Sequence, residues 1–239
     1  MTDHTVRAFS EQLEGLSALV AQMGGLAEAQ FAAAIEAVSR RDSVAAENAV
    51  GGDARIDAIQ QEIEDRALKL LALRQPMAVD LRETLAAIKT AAELERIGDL
   101  AKNIAKRALV LNREPPIRLT QSLARMGKVA LSQLKQVLDS FSSRNAALAE
   151  QVWNQDGEID EIYNSLFREL LTYMMEDPRT IGLCTHLLFI AKNIERCGDH
   201  ATNIAEVVYH MVRADHLAAN RPKADFTSET TIPFEIHQA

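Results

Sequence analysis

Two stretches of this 239-residue chain, a hundred positions apart, read almost alike. Residues 95–105 are Glu-Arg-Ile-Gly-Asp-Leu-Ala-Lys-Asn-Ile-Ala and residues 195–205 are Glu-Arg-Cys-Gly-Asp-His-Ala-Thr-Asn-Ile-Ala, identical at eight of eleven positions. Upstream of each lies a second correspondence, Asp53-Ala-Arg-Ile-Asp57-Ala-Ile59 against Asp156-Gly-Glu-Ile-Asp160-Glu-Ile162. Between these blocks Gln75-Pro76 matches Asp177-Pro178. A shared apolar period does not generate identity at polar positions. The chain is therefore two copies of one unit, and each copy has to fold like the other.

The breaks define that unit. In the first 214 residues proline occurs only at Pro76, Pro115, Pro116 and Pro178, and proline is excluded from helix interiors. Arg41-Asp42-Ser43 and Ser142-Ser143-Arg144-Asn145 supply two further stops. Six segments result, approximately 4–40, 43–74, 77–113, 117–141, 144–176 and 178–214, three per copy. Each carries an apolar seam at alternating three- and four-residue steps. The last seam is Leu183, Leu187, Ile190, Ile194, Cys197, Ala201, Ile204, Val208 and Met211; the first is Val6, Phe9, Leu13, Leu16, Val20 and Met23. The fourth is Leu119, Leu123, Met126, Ala130, Val137 and Phe141.

Such stripes bury against neighbouring helices. The expected fold is all-α: two pseudo-symmetric three-helix bundles built from six long helices. Their expected bounds are residues 1–114 and 115–216. Residues 217–239, polar and containing Pro222 and Pro233, are expected to form a flexible tail. At about 1.5 Å per residue several segments approach 50 Å, so the body should be elongated.

Composition excludes several classes. Gly and Pro total 16 and aromatics are 5%, too few turns for an all-β sandwich. With 34 Asp+Glu against 26 Lys+Arg, the charge is −8, which argues against nucleic-acid binding. The longest uncharged stretch, Gly15 to Ala27, has 13 residues and is too short to span a bilayer. Residues 1–10 lack the apolar region of a secretory signal. Cys184 and Cys197 stand 13 residues apart in one helical pattern, about 20 Å along the axis and beyond disulfide reach. They read as buried small hydrophobes of a reducing cytosol.

The acidic residues of the repeat carry the candidate chemistry. Glu95/Asp99 and Glu195/Asp199 are i,i+4 pairs on one helix face, and Asp53/Asp57 and Asp156/Asp160 are two more. Like charges at this spacing are destabilising. Gly98 and Gly198 add a cost of about 1 kcal/mol each relative to alanine. Both costs recur in both copies, and a bound cation would offset the first, because hard metals take oxygen ligands. The glycines would let a ligand or a neighbouring backbone approach closely.

With Ile194 and Cys197 on the seam, Glu195 and Asp199 should face away from the core. No histidine follows an acidic residue by three positions, so the ligand set of a buried di-iron bundle is absent. No P-loop, Gly-x-Ser-x-Gly or His-Glu-x-x-His pattern occurs either. Arg96 and Arg196 are candidate salt-bridge partners, and His200 and His210 candidate inter-helix or surface residues.

Arg74-Gln75-Pro76 with Asp80-Leu81-Arg82, then Ala92-Glu93-Leu94-Glu95-Arg96-Ile97-Gly98-Asp99, resembles the PhoU family of phosphate-specific transport accessory proteins. In the second copy Thr172-Tyr173-Met174-Met175-Glu176-Asp177-Pro178-Arg179-Thr180-Ile181 and Glu195-Arg196-Cys197-Gly198-Asp199 are similar to it. The likeness covers about residues 5–214. It implies two similar three-helix bundles whose carboxylate motifs bind metal clusters on the bundle surface. That nominates Asp53, Asp57, Glu95 and Asp99 in the first half and Asp156, Asp160, Glu195 and Asp199 in the second.

The resemblance also implies divalent or trivalent metal ions, with Mg, Mn, Fe and Zn all compatible. It implies a cytoplasmic negative regulator of the phosphate-starvation response, with no catalytic residues. Its implied partners are the ATPase subunit of a phosphate ABC transporter and the sensor histidine kinase of a two-component system, with a homodimer as the expected assembly. His200 stands where the first copy has Leu100, so the two sites are expected to differ. A metal-dependent enzyme and a metal-storing bundle are the alternatives.

Overall fold

In the computed structural model residues 2–74, 77–116, 120–218 and 227 are described. Among them are eight α-helices and one turn of 3-10 helix, with no strand. The first copy holds α1 (Thr2–Arg40), α2 (Ser43–Gly51), α3 (Asp53–Arg74) and α4 (Val79–Leu111). The second holds α5 (Thr120–Ser142), α6 (Ala146–Asn154), α7 (Asp156–Glu176), the 3-10 turn Pro178–Thr180 and α8 (Ile181–Arg213). The six expected segments are present, and each middle one is divided, at Gly52 and at Gln155. The expected tail lies outside the described residues except for 217, 218 and 227. The break at Pro76 and the seam position Leu119 also lie outside them, as do the side chains of Val6 and Phe9.

The helix stops repeat as faithfully as the motif. α1 runs into Arg41 at φ 56°, and α5 into Arg144 at φ 51°. Each left-handed residue is followed by an Asx cap. Asp42 Oδ1 accepts from Val44 N and Ala45 N, and Asn145 Oδ1 accepts from Ala147 N and Leu148 N. The same six-to-one backbone bond closes both turns, Asp42 N to Ala37 O and Asn145 N to Ser140 O. These bonds satisfy the exposed ends of α1 and α5 and reverse the chain into α2 and α6.

α4 and α8 are the central pair, each covered by the other helices of its own copy and by its counterpart. Arg82 Nε donates to Met211 O at 3.3 Å, Glu93 Oε2 lies 2.6 Å from His200 Nδ1, and Arg107 Nη1 lies 3.4 Å from His186 Nδ1. Numbers rising on one helix pair with numbers falling on the other, so the two run antiparallel. That register brings the two Glu-Arg-x-Gly-Asp motifs level.

α1 and α5 close the other side in the same sense. A Cβ on Gly24 would lie 2.5 Å from Leu138 Cδ2, and one on Gly127 would lie 2.7 Å from Ile35 Cδ1. The pairs 24/138 and 127/35 are mirror contacts of one pseudo-two-fold packing, and glycine permits the close approach. The described seam residues are buried as expected, apart from the half-buried Leu183. One apolar core runs continuously through both copies.

Over Ser10–Arg40, α1 is long and apolar enough to cross a membrane. Its apolar residues Leu16, Val20, Met23, Ala27 and Phe31 are packed in this core. Both cysteines are buried and free, and burial pushes the Cys197 thiol well above its ordinary value.

Candidate functional site

The eight nominated carboxylates gather at two corresponding seams, α3 against α4 and α7 against α8. Asp53 and Asp156 are the first residues of α3 and α7, where the helix macrodipole favours a negative charge. Asp57 and Asp160 follow one turn later. Glu95 and Asp99 face them from α4, and Glu195 and Asp199 from α8.

The expectation that these groups look outward is corrected by the structure. Asp53, Asp156, Asp160 and Glu195 are buried, and Asp57, Glu95, Asp99 and Asp199 are half-buried. Heptad reasoning locates one apolar seam and leaves the far face to solvent. α4 and α8 are central helices, and α3 and α7 pack over that far face as well.

The charges interact. Partial burial pushes the Asp57 carboxyl above its ordinary value, and the charges of Asp53 and Asp99 add to the rise while Lys102 opposes it. Burial does the same to Glu95; Arg96 counters it, and Asp99, Asp57 and Asp53 reinforce it. Glu195 is raised chiefly by burial, against the hydrogen bond from Lys192, with Asp199 and Asp160 adding to the rise. Among the described residues no three acidic, histidine or cysteine side chains converge closely enough to hold an ion between them. Two observations still suit a cation. The donor set is all carboxylate oxygen, and the Oε2 atom of Glu195, a residue 5% exposed, is buried without a hydrogen-bond partner.

The glycines serve packing rather than a ligand or a backbone. A Cβ on Gly98 would lie 3.1 Å from Ile56 Cδ1 and 3.2 Å from Gln30 Oε1, and one on Gly198 would lie 2.5 Å from Ile159 Cδ1. Gln30 and Gln133 are members of the site that pattern reading missed. Gln30 Nε2 donates to Ala49 O at 2.8 Å and Gln133 Nε2 to Gln155 O at 3.0 Å. These bonds tie α1 and α5 to the α2 and α6 termini. Their recurrence 103 positions apart, at buried positions of α1 and α5, was the available signal.

Lys102 and Thr202 were missed too, although they are one of the three mismatches in the repeated motif. Lys102 donates to Asp53 Oδ2 and lies 3.9 Å from Asp99 Oδ1. Thr202 Oγ1 donates to Asp156 Oδ1 at 2.9 Å. Arg96 pairs with Glu95 at 3.5 Å, and His200 is an inter-helix residue as expected. A separate groove of about 530 Å³ lies between α4 and α8. It sets Arg82 and Lys89 against Glu93 and Glu206, a balance that selects neither sign of ligand.

The family model described as PhoU domain matches residues 20–108 and 123–208. A phosphate-specific transport system accessory protein PhoU homolog of Caulobacter vibrioides is 54% identical over 96% of this chain and 100% of its own length. The homolog of that name in Rhizobium meliloti is 49% identical over 94% of this chain and 95% of its own. The crystal structure of PhoU from Pseudomonas aeruginosa superimposes with a TM-score of 0.85 at 36% identity, covering 87% of this chain and all of that one. The phosphate transport system regulatory protein PhoU from Streptococcus pneumoniae gives 0.80 at 29% identity, over 88% and 99%.

Proposed function

The chain belongs to the PhoU family, and on that premise we propose that it is an accessory protein of phosphate transport that restrains phosphate uptake and the phosphate-starvation response. It acts in the cytoplasm as a homodimeric adaptor between the ATPase of a phosphate ABC transporter and a sensor histidine kinase, without catalytic turnover. The observation that carries this reading is the doubled match along nearly the whole chain to relatives named as phosphate transport accessory proteins. A rigid antiparallel body with one continuous core suits docking, because partners meet surfaces already formed.

The same reading gives the carboxylates a role. Asp53, Asp57, Glu95 and Asp99 in one half, and Asp156, Asp160, Glu195 and Asp199 in the other, hold divalent or trivalent cations. A bound ion supplies the positive charge that offsets their repulsion and ties α3 to α4 and α7 to α8. The donor chemistry and the unpartnered Glu195 oxygen support this role.

The test is genetic and biochemical together. In a deletion strain, phosphate-starvation genes should be transcribed at high phosphate, and the tagged protein should retain the kinase and the transporter ATPase from lysate. Starvation genes that stay off in the deletion strain would sink the regulatory reading.

A further inference from the structure

We propose that the groove between α4 and α8 is the docking surface of a segment of this same chain, residues 228–239, which lie beyond the described part of the fold. The groove measures about 530 Å³, and its floor is apolar, with Leu85, Ala86 and Ala92 from α4 and Val207 from α8. Leu85 is 42% exposed. Apolar surface left open beside a polar rim marks an interaction site.

The described chain leads into this groove. α8 stops at Ala214, whose left-handed φ of 58° and N–H bond to His210 O turn the backbone off the helix axis. Asp215 Oδ1 then accepts from His216 N at 2.8 Å, and the His216 ring stacks on His210 with centroids 4.5 Å apart. Leu217 packs against the core. His216 is itself part of the groove wall. Ile232 follows it by sixteen positions, enough to span about 50 Å when extended. From Arg82 to Ala92 the groove follows ten residues of α4, or about 15 Å. The segment therefore reaches all of it.

Residues 228–239 read Ser-Glu-Thr-Thr-Ile-Pro-Phe-Glu-Ile-His-Gln-Ala, with two acids and no Lys or Arg. Ile232, Phe234 and Ile236 alternate with Pro233 and Glu235, so in an extended chain the three apolar side chains share one side. Pro233 opposes a helix there. The formal charges of the groove balance, but its acids are already engaged. Glu93 Oε2 holds His200 and Asn203, and Glu206 Oε1 accepts from Trp153 Nε1 at 3.1 Å. Lys89 stands exposed at the rim. The charge left to meet an arriving segment is thus positive, and Glu235 is its counterpart. Tethering holds the segment near the groove at an effective concentration in the mM range, so contacts too weak to hold a free peptide keep it docked. While it is docked, the groove is closed to any partner.

The test uses the full chain and a fluorescein-labelled synthetic peptide of residues 228–239, with binding read by anisotropy. Phe234→Asp in the chain should empty the groove, and this variant should bind the peptide about tenfold more tightly than the wild type, whose own segment competes. Adding Leu85→Asp to that variant should abolish binding. Adding Lys89→Glu instead should weaken it several-fold, with recovery when the peptide carries Glu235→Lys. Leu85 and Lys89 are both exposed, and circular dichroism checks that helicity is kept. A benzophenone side chain placed at position 234 of the full chain should cross-link to α4 or α8 of the same molecule. Equal peptide affinity in the wild type and Phe234→Asp would mean a groove open to a partner's segment, and would overturn the proposal. So would cross-links between two chains, which make a second copy the occupant, or peptide binding that survives Leu85→Asp. Absence of peptide binding in every variant overturns it as well.

Discussion

His200 Nδ1 lies 2.6 Å from Glu93 Oε2 and so joins the second copy to the first across the α4/α8 interface. Asn203 Nδ2 donates to the same oxygen at 3.1 Å. The contact has no mirror image, since the corresponding residues are Leu100 and Asn193. It is a polar pin on one side of a pseudo-symmetric seam. A double-mutant cycle of Glu93→Gln and His200→Leu should therefore give a coupling of about 1.5 kcal/mol, the low end for a hydrogen bond to a charged group at a half-buried position. Strictly additive effects in urea unfolding would show that the pin contributes nothing.

Glu195 makes the metal-free protein sensitive to pH. Its folded value is raised by burial and by Asp199 and Asp160, against Lys192, so the folded state binds more protons than the unfolded state. Stability from this group is full below the ordinary glutamate range and falls as pH rises from there through the raised folded value. Glu195→Gln should consequently raise Tm at neutral pH in chelator, and the gain should vanish on acidification to about pH 4, near the ordinary glutamate value. A variant less stable than wild type at pH 7 in chelator would contradict this.

Two glycines of the α1/α5 side should respond in opposite directions to alanine. At Gly127 a methyl group would meet Ile35 at 2.7 Å. Overpacking of about 1–3 kcal/mol there should exceed the gain of about 1 kcal/mol from helix propensity, for a net loss near 1 kcal/mol. At Gly25 nothing lies within 4 Å, so Gly25→Ala should raise stability by up to about 1 kcal/mol. Chemical denaturation of both variants reads the difference, and equal shifts would refute the packing argument.

The paired Asx caps should be worth similar amounts. Asp42→Ala and Asn145→Ala each remove a side chain that accepts from two backbone N–H groups at a helix start. Each should cost about 1 kcal/mol, or roughly 2–4 °C in Tm for a chain of this size. Calorimetry of the two variants checks both the size of the loss and its equality.

The helical class, the six segments and the location of their stops were readable residue by residue. Arg41-Asp42 and Arg144-Asn145 announce their turns through local chemistry, which needs no tertiary partner. The division at Gln155 was not readable, because the helical pattern continues across it, whereas at the first division the Gly51-Gly52 pair was the available signal. The carboxylates were found by their spacing, and their surroundings were not. A heptad identifies which residues share a stripe on one helix, but not how many neighbours that helix has.

The repeat by itself determined that two copies of one helical unit exist, with matched caps and matched acid pairs, because local propensity and periodicity act within each segment. Tertiary packing decided the rest. It set α4 and α8 antiparallel as the central pair, covered the acidic stripes with α3 and α7, and brought Lys102 to Asp53 and Thr202 to Asp156. Burial converts a one-residue mismatch between the copies into a difference of charge inside a partly desolvated seam, where Coulomb interactions are weakly screened. That physical difference arises only once the helices meet.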